Sequence, residues 1–333
     1  MHAEQLLRTI KLYNKVGRYL YIEGSPGIGK TQICRQAADE LGIGFQRIHA
    51  PKMKVEDMAM PVPNEARDAV NWVLNDAIPF EGDDRYPERG ILLLDELGQA
   101  DIDIQKLAAH LTQEREMYGR KLKDGWQVIG TGNRLEDRAG AVRILSHLDD
   151  RGGRCTLDVD LNGWCNWALD NGIHRYVVAY VRFAPQDLNT FDPAEQGSAT
   201  PRSWAEGISP VVDIVDPDLE YEVFKGEIGE AVTHKFRAFC RMARDLPNPD
   251  VVLMDPEGTP IPEDKPDVQH ALAGALAARA SEANMEAIVA VSRRLSHDVM
   301  VYLIRDSIRQ CPEVQNTKAF TDWAITDGAD VLV

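Results

Sequence analysis

Apolar residues Leu6, Leu7, Ile10 and Tyr13 recur at helical spacing and predict an amphipathic helix over 1–16. Residues 18–23 form a short β-rich run that ends in a glycine loop. Helical spacing resumes over 31–41, with Ile33, Ala37 and Leu41 on one face, until Gly42 and Gly44 stop it. Residues 45–49 read as a second buried strand. Residues 91–94 are an unbroken apolar run of the kind that forms a central parallel strand covered on both faces. A helix over 104–116 and a strand over 126–130 complete the alternation. Strands alternating with helices predict an α/β fold, an open parallel sheet with right-handed crossovers. Residues 51–72 break this rhythm with Pro51, Pro61 and Pro63 among apolar residues, and predict an insertion carrying an exposed hairpin or loop.

Beyond about residue 156 the strand pattern gives way to helical periodicity over 164–169, 176–183, 228–243, 268–280 and 285–308. Residues 247–266, rich in proline and acidic side chains, predict a linker with a short hairpin. The expected division is an α/β core at 1–156, a helical domain at 157–246, and a linker with a helical extension at 247–333. Trp164, Trp167 and Trp204 are expected as anchors of the helical core. Val299, Leu303, Ile304 and Ile308 also read as core more than as interface.

Composition changes this picture little. The 333 residues are 44% hydrophobic and 27% charged, ordinary for a globular protein with a sizeable core. No run approaches the roughly 18 apolar residues of a membrane span, and the first residues show no signal-peptide pattern, so a cytosolic location without membrane contact is expected. Cys34, Cys155, Cys165, Cys240 and Cys311 have no C-x-x-C spacing and read as reduced thiols. The eight histidines have no metal-ligand spacing. A formal net charge of −16, with no stretch that interleaves basic residues and aromatics, disfavours nucleic acid as a partner.

Two motifs carry chemistry. Gly24-Ser25-Pro26-Gly27-Ile28-Gly29-Lys30-Thr31, followed by Gln32, fits G-x-x-x-x-G-K-[ST] between a strand and a helix. Its glycines let backbone N–H groups wrap phosphate oxygens, and the helix N-terminus adds a favourable dipole. Lys30 then reaches the β- and γ-phosphates of ATP, and the Thr31 hydroxyl binds Mg²⁺. At the end of the 91–94 run, Asp95 and Glu96 bring two carboxylates to the sheet edge where ligands of open α/β sheets bind. Asp95 is the candidate for the metal shell, and Glu96 for polarising the attacking water.

With these motifs the sequence resembles the AAA+ superfamily and, within it, the MoxR-like ATPases, including relatives common in phage and prophage genomes. The resemblance covers roughly residues 18–243. It implies a P-loop parallel-sheet core, a helical lid over 157–246 and a helical C-terminal extension. Asn133 resembles the sensor-1 residue, and Arg202, in Thr200-Pro201-Arg202, the sensor-2 arginine at the start of the lid helix. Arg151 and Arg154 stand where the family has its arginine finger. Gly152 occupies the usual aromatic position after the first arginine, which leaves the choice between them open, with Arg151 favoured. Residues 57–72 and 115–126 resemble the family's insert and the hairpin before sensor 1. Asp124-Gly125 fits a tight turn, and Met58, Met60 and Val62 are placed either to grip a client or to pack on the core. The resemblance further implies a homo-oligomeric ring, hexameric in the family, a protein client, and a von Willebrand factor A domain partner. The competing readings are a DNA-associated ATPase, clamp-loader-like or DNA-remodelling, and a non-hydrolysing nucleotide-dependent scaffold.

Overall fold

The computed structural model describes residues 1–134, 137, 152–194, 197–244, 246, 248–261 and 265–328. The chain divides into two compact units, residues 1–160 with 191–193, and residues 161–190 with 194–333.

In the first unit, strands β1 (Tyr19–Glu23), β2 (Gly44–His49), β5 (Arg89–Asp95), β8 (Gly125–Gly132) and β9 (Gly152–Thr156) form a sheet in the order β2-β5-β8-β1-β9. Every neighbouring pair is parallel. Helices α1 (Ala3–Val16), α2 (Lys30–Leu41), a single turn α3 (Val55–Met58) and α4 (Ile102–Glu114) accompany it. The sheet is covered on both faces because side chains alternate along each strand. Leu20, Ile22, Ile91, Leu93 and Ile129 pack with Leu6, Ile10, Ile33 and Ala37 of the first two helices. Tyr19, Tyr21, Leu92, Leu94 and Val128 pack with Ile104, Ala108, Leu111 and Trp126. Ile91, Leu92 and Leu93 are fully buried, each stabilising the sheet by roughly 1.5–3 kcal/mol. The Trp126 ring lies so close over β5 that a Cβ at Gly90 would stand 2.6 Å from it, so this position admits only glycine.

The second strand is less buried than its sequence suggests. Within β2 only Ile48 is fully enclosed, because the strand is an edge and only β5 flanks it. The 51–72 insertion does form a hairpin, β3 (Ala59–Pro63) against β4 (Val70–Leu74), with Pro61 opposite Trp72. A second hairpin pairs β6 (Glu116–Met117) with β7 (Arg120–Lys121). It turns at Tyr118 and Gly119, both at positive φ (48° and 82°), which is the backbone a two-residue hairpin turn requires. The Asp124-Gly125 pair makes a separate turn just ahead, closed by Trp126 N–H donating to the Lys123 carbonyl at 3.0 Å. Trp72 and Tyr118 stack at 4.0 Å and tie the two hairpins together.

The second unit is helical: α5 (Leu161–Asp170), α6 (Arg175–Phe183), a π-helical turn at Ser203–Ile208, α7 (Glu220–Ile228), α8 (Glu230–Arg244), α9 (Pro249–Met254), α10 (Pro266–Ala277), α11 (Met285–Ser292), α12 (His297–Gln310) and α13 (Lys318–Thr326). Tyr180, Trp204, Phe236 and Phe239 form an aromatic cluster. Leu272, Leu276, Ile288, Val299, Leu303, Ile304 and Trp323 form a hydrophobic core, with Ile308 packed against it. Of the three expected tryptophan anchors, Trp204 is fully buried, whereas Trp164 and Trp167 are half-buried on the 10-residue helix α5.

Two helical expectations change, and so does one for a hairpin. The 228–243 run is cut at Gly229, whose φ of 76° separates α7 from α8. The 285–308 run breaks between α11 and α12, where Ser292 bonds back to the Val289 carbonyl at 2.8 Å and Ser296 stands in extended backbone before His297. Within 247–266 the described residues hold the helix α9 and no hairpin. The Asn248 side chain caps that helix and Pro249 starts it.

Candidate functional site

The parallel register brings the C-terminal ends of the strands to one edge: Glu23 beside Gly132 and Thr156, and His49 beside Asp95. The glycine loop leaves β1 at this edge. Gly24 must lack a side chain, since a Cβ there would stand 2.5 Å from Ile28 Cδ1 and 2.8 Å from the Leu157 carbonyl. Gly27 and Gly29 take φ of 75° and 97°, the left-handed turns that fold successive amides into an anion cradle before α2 begins.

Lys30 is buried, and its ammonium donates to the Gly24 and Ser25 carbonyls at 2.6 and 3.0 Å and to Asn133 Oδ1 at 3.0 Å. The structure therefore brings the loop lysine and the expected sensor residue into direct contact. Ser25 Oγ donates to Asp137 Oδ1 at 3.1 Å.

Asp95 is only 3% exposed. Its carboxylate accepts from the Thr31 hydroxyl, 3.1 Å from each oxygen, and from Thr131 Oγ1 at 2.6 Å. Arg47 adds Nε at 2.7 Å and Nη2 at 2.6 Å, both to Oδ2. Thr131 is fully buried and serves twice, because its oxygen also accepts the Glu96 N–H at 2.9 Å. That bond, with Gln99 N–H on the Glu96 carbonyl at 2.8 Å, holds Glu96 at φ 57°. A left-handed glutamate costs on the order of 1–2 kcal/mol, and such strain gathers at functional positions. The Glu96 carboxylate is half-exposed, with His49 Nε2 at 3.8 Å.

A hydroxyl and a carboxylate in contact are hard oxygen donors and suit Mg²⁺. Thr31 and Asp95 are the residues that would hold it.

Arg154 lies on β9, where its guanidinium bonds Glu23 Oε2 at 2.6 Å and rests 5.5 Å from the Tyr21 ring centre. Burial pushes the Glu23 carboxyl up, but the Arg154 and Thr156 hydrogen bonds outweigh it, and Glu23 sits below the usual carboxylate range. Arg151 lies outside the described residues. Arg202 is exposed in the second unit, just ahead of the π-helical turn.

Sequence reasoning missed Arg47, His49 and Thr131. Arg47 and His49 are two apart at the end of a strand, hence on one face, and the strand lies beside the one that ends in Asp95. Two polar side chains on one face of a short strand were the available signal. Thr131 carried none, standing as an ordinary strand residue before Asn133.

A glycine loop at the edge of a parallel sheet, with a threonine–aspartate pair beside it, makes a candidate P-loop nucleotide site. Residues 20–152 match the model of the family described as ATPase family associated with various cellular activities (AAA). Comparison with curated proteins gives no match. Among solved structures, the chain is similar to a candidate ATPase from Cytophaga hutchinsonii (15% identity, 92% of this chain, 79% of that one, TM-score 0.36). It is similar to the RuvB Holliday junction branch migration motor of Thermotoga maritima (16% identity, 82% of this chain, 80% of that one, TM-score 0.38). It is also similar to NtrX from Brucella abortus in complex with ATP (14% identity, 98% of this chain, 68% of that one, TM-score 0.41).

Proposed function

We propose that the protein is a Mg²⁺-dependent ATP-hydrolysing motor of the MoxR-like kind, which assembles into a ring and remodels a protein client. The observation that carries this reading is the convergence of Lys30, Asn133, Thr31, Asp95 and the strained Glu96 on one sheet edge.

In this reading the loop amides and Lys30 bind the phosphates, with Gly24 to Gln32 lining the nucleotide. Mg²⁺, when bound, neutralises charge on the β- and γ-phosphate oxygens. Glu96 accepts a proton from the attacking water, and Asn133 orients that water while restraining Lys30. Thr131 fixes both acidic residues, holding the Asp95 side chain and the Glu96 backbone together. Arg154 is engaged with Glu23 of its own chain, which favours Arg151 as the arginine offered to a neighbouring subunit. Arg202 remains the proposed lid arginine.

The exposed face of the two hairpins supports a client-handling role. Met60 is 53% exposed and Trp72 41%, and the Trp72–Tyr118 stack gives these side chains a fixed platform. Met58, by contrast, is buried in the core. A von Willebrand factor A domain protein is the proposed partner.

Light scattering of Glu96→Gln with and without Mg²⁺-ATP tests the assembly. Nucleotide-dependent rings support the reading, and a monomer under all conditions contradicts it. Mixing Arg151→Ala with Glu96→Gln subunits should restore part of the turnover if the two residues serve one shared interface. DNA-stimulated turnover that falls steeply with salt would favour a DNA-associated ATPase instead.

A further inference from the structure

We infer that Arg47 is a built-in counter-ion of Asp95 that competes with the divalent metal, so that metal loading requires the guanidinium to let go. The inference rests on the nucleotide-site reading above and concerns the metal dependence of that site.

A carboxylate offers about four lone-pair positions. Those of Asp95 are taken: Oδ2 accepts Arg47 Nε at 2.7 Å and Nη2 at 2.6 Å, Oδ1 accepts Thr131 at 2.6 Å, and the Thr31 hydroxyl lies 3.1 Å from both. For Asp95 to hold a metal or a metal-bound water, one donor must leave. Thr131 is the wrong one to lose, because it is fully buried and holds the Glu96 amide as well. Thr31 is itself a metal donor and sits in the first turn of α2. Arg47 is the exchangeable group. Its side chain is 48% exposed on an edge strand, so water can receive the displaced guanidinium at little cost. Charge favours the exchange too, because a guanidinium and a divalent cation on one carboxylate repel each other.

Two consequences follow from one cause. Arg47 partly replaces the metal by neutralising Asp95 beside the phosphates, so ATP binds appreciably without metal. The same contact opposes the metal, so metal adds less to affinity than it otherwise would. Removing Arg47 reverses both: a bare Asp95 repels metal-free ATP and takes up metal more readily.

The test is the ratio of the affinity for a fluorescent ATP analogue in Mg²⁺ to that in EDTA, measured on the unmutated protein, Arg47→Ala and Arg47→Lys. Thermal unfolding of each variant checks that it is folded. We expect the ratio to rise about three- to tenfold in Arg47→Ala, the scale of the net contribution of one hydrogen bond. Arg47→Lys keeps the charge and should stay near the unmutated value, and it carries the test if Arg47→Ala does not fold, since a full rise there overturns the competition. An unchanged or smaller ratio in folded Arg47→Ala overturns it and makes Arg47 a positioning residue for Asp95. If the unmutated protein binds the analogue in neither condition, the nucleotide-site reading itself fails.

Discussion

Each unit buries a carboxylate against an arginine, and the two arrangements differ in what surrounds the pair. In the second unit, Arg182 and Asp306 are both more than nine-tenths buried, the Arg182 guanidinium lies over the Tyr302 ring at 4.7 Å, and the pair lines a cavity of about 320 Å³ with residues of α6, α10 and α12. In the first unit, Asp95 is equally deep, but its arginine is half-exposed and its other donors are two hydroxyls at the mouth of a glycine loop. Both members of this pair are buried, so separating them would strand a charge, and the pair serves to hold α6 against α12. The open one can trade a donor for a ligand at small cost. Burial of the acid is common to both, and exchangeability of its partners distinguishes a site from a clasp.

The sharpest way to break this comparison is Asp306→Ala. It strands a buried guanidinium and should destabilise the second unit by about 3–5 kcal/mol, read by denaturant unfolding. Replacing both partners with Met and Leu should recover most of that loss. If Asp306→Ala cost no more than about 1 kcal/mol, the clasp would be no different in kind from an exposed pair.

Thr131→Val should cost less in stability, about 1–3 kcal/mol, because it leaves the Glu96 N–H without its partner and removes the closer of the two hydroxyl donors to Asp95 Oδ1. Its larger signature should be a fall in ATP turnover of tenfold or more with ATP affinity nearly kept. Turnover unchanged in Thr131→Val would show that the hydroxyl fixes neither acid.

A smaller effect comes from His270, beside the clasp. Burial, followed by the nearby Arg182 charge, lowers its pKa to about 4 from an ordinary 6.5. Below about pH 6.5 the unfolded imidazole takes up a proton that the folded one refuses until about pH 4. The unfolded state binds more protons in that window, so stability falls as pH falls through it, by up to roughly 2 kcal/mol after allowance for partial exposure. His270→Phe should flatten the slope of unfolding free energy against pH between about 4 and 6.5. An unchanged slope would assign the acid sensitivity to other groups.

The sequence disclosed most where chemistry restricts residue choice. The phosphate loop needs glycines at positive φ, as at Gly27 and Gly29, so its pattern survives in one dimension. The 91–94 run was legible because a strand buried on both faces has no polar alternation to obscure it. Helical breaks were harder to see. Gly229 interrupts a continuous apolar periodicity, and the α11–α12 break is made by serine hydrogen bonds that hydrophobic spacing does not encode. Arg47 was missed for another reason. Its role depends on the register that sets β2 beside β5, and register is a property of the assembled sheet. The Arg151 expectation falls outside the described residues, and Arg154 acquired its partner only when β9 paired with β1.

The most direct test of the central claim is steady-state release of phosphate from ATP by the unmutated protein and by Glu96→Gln, with nucleotide binding measured alongside. The account predicts Mg²⁺-dependent turnover in the first, a fall of at least about a hundredfold in the second, and ATP binding in both. Equal turnover in the two proteins would contradict it, because the carboxylate held at the strand end would then have no part in the chemistry.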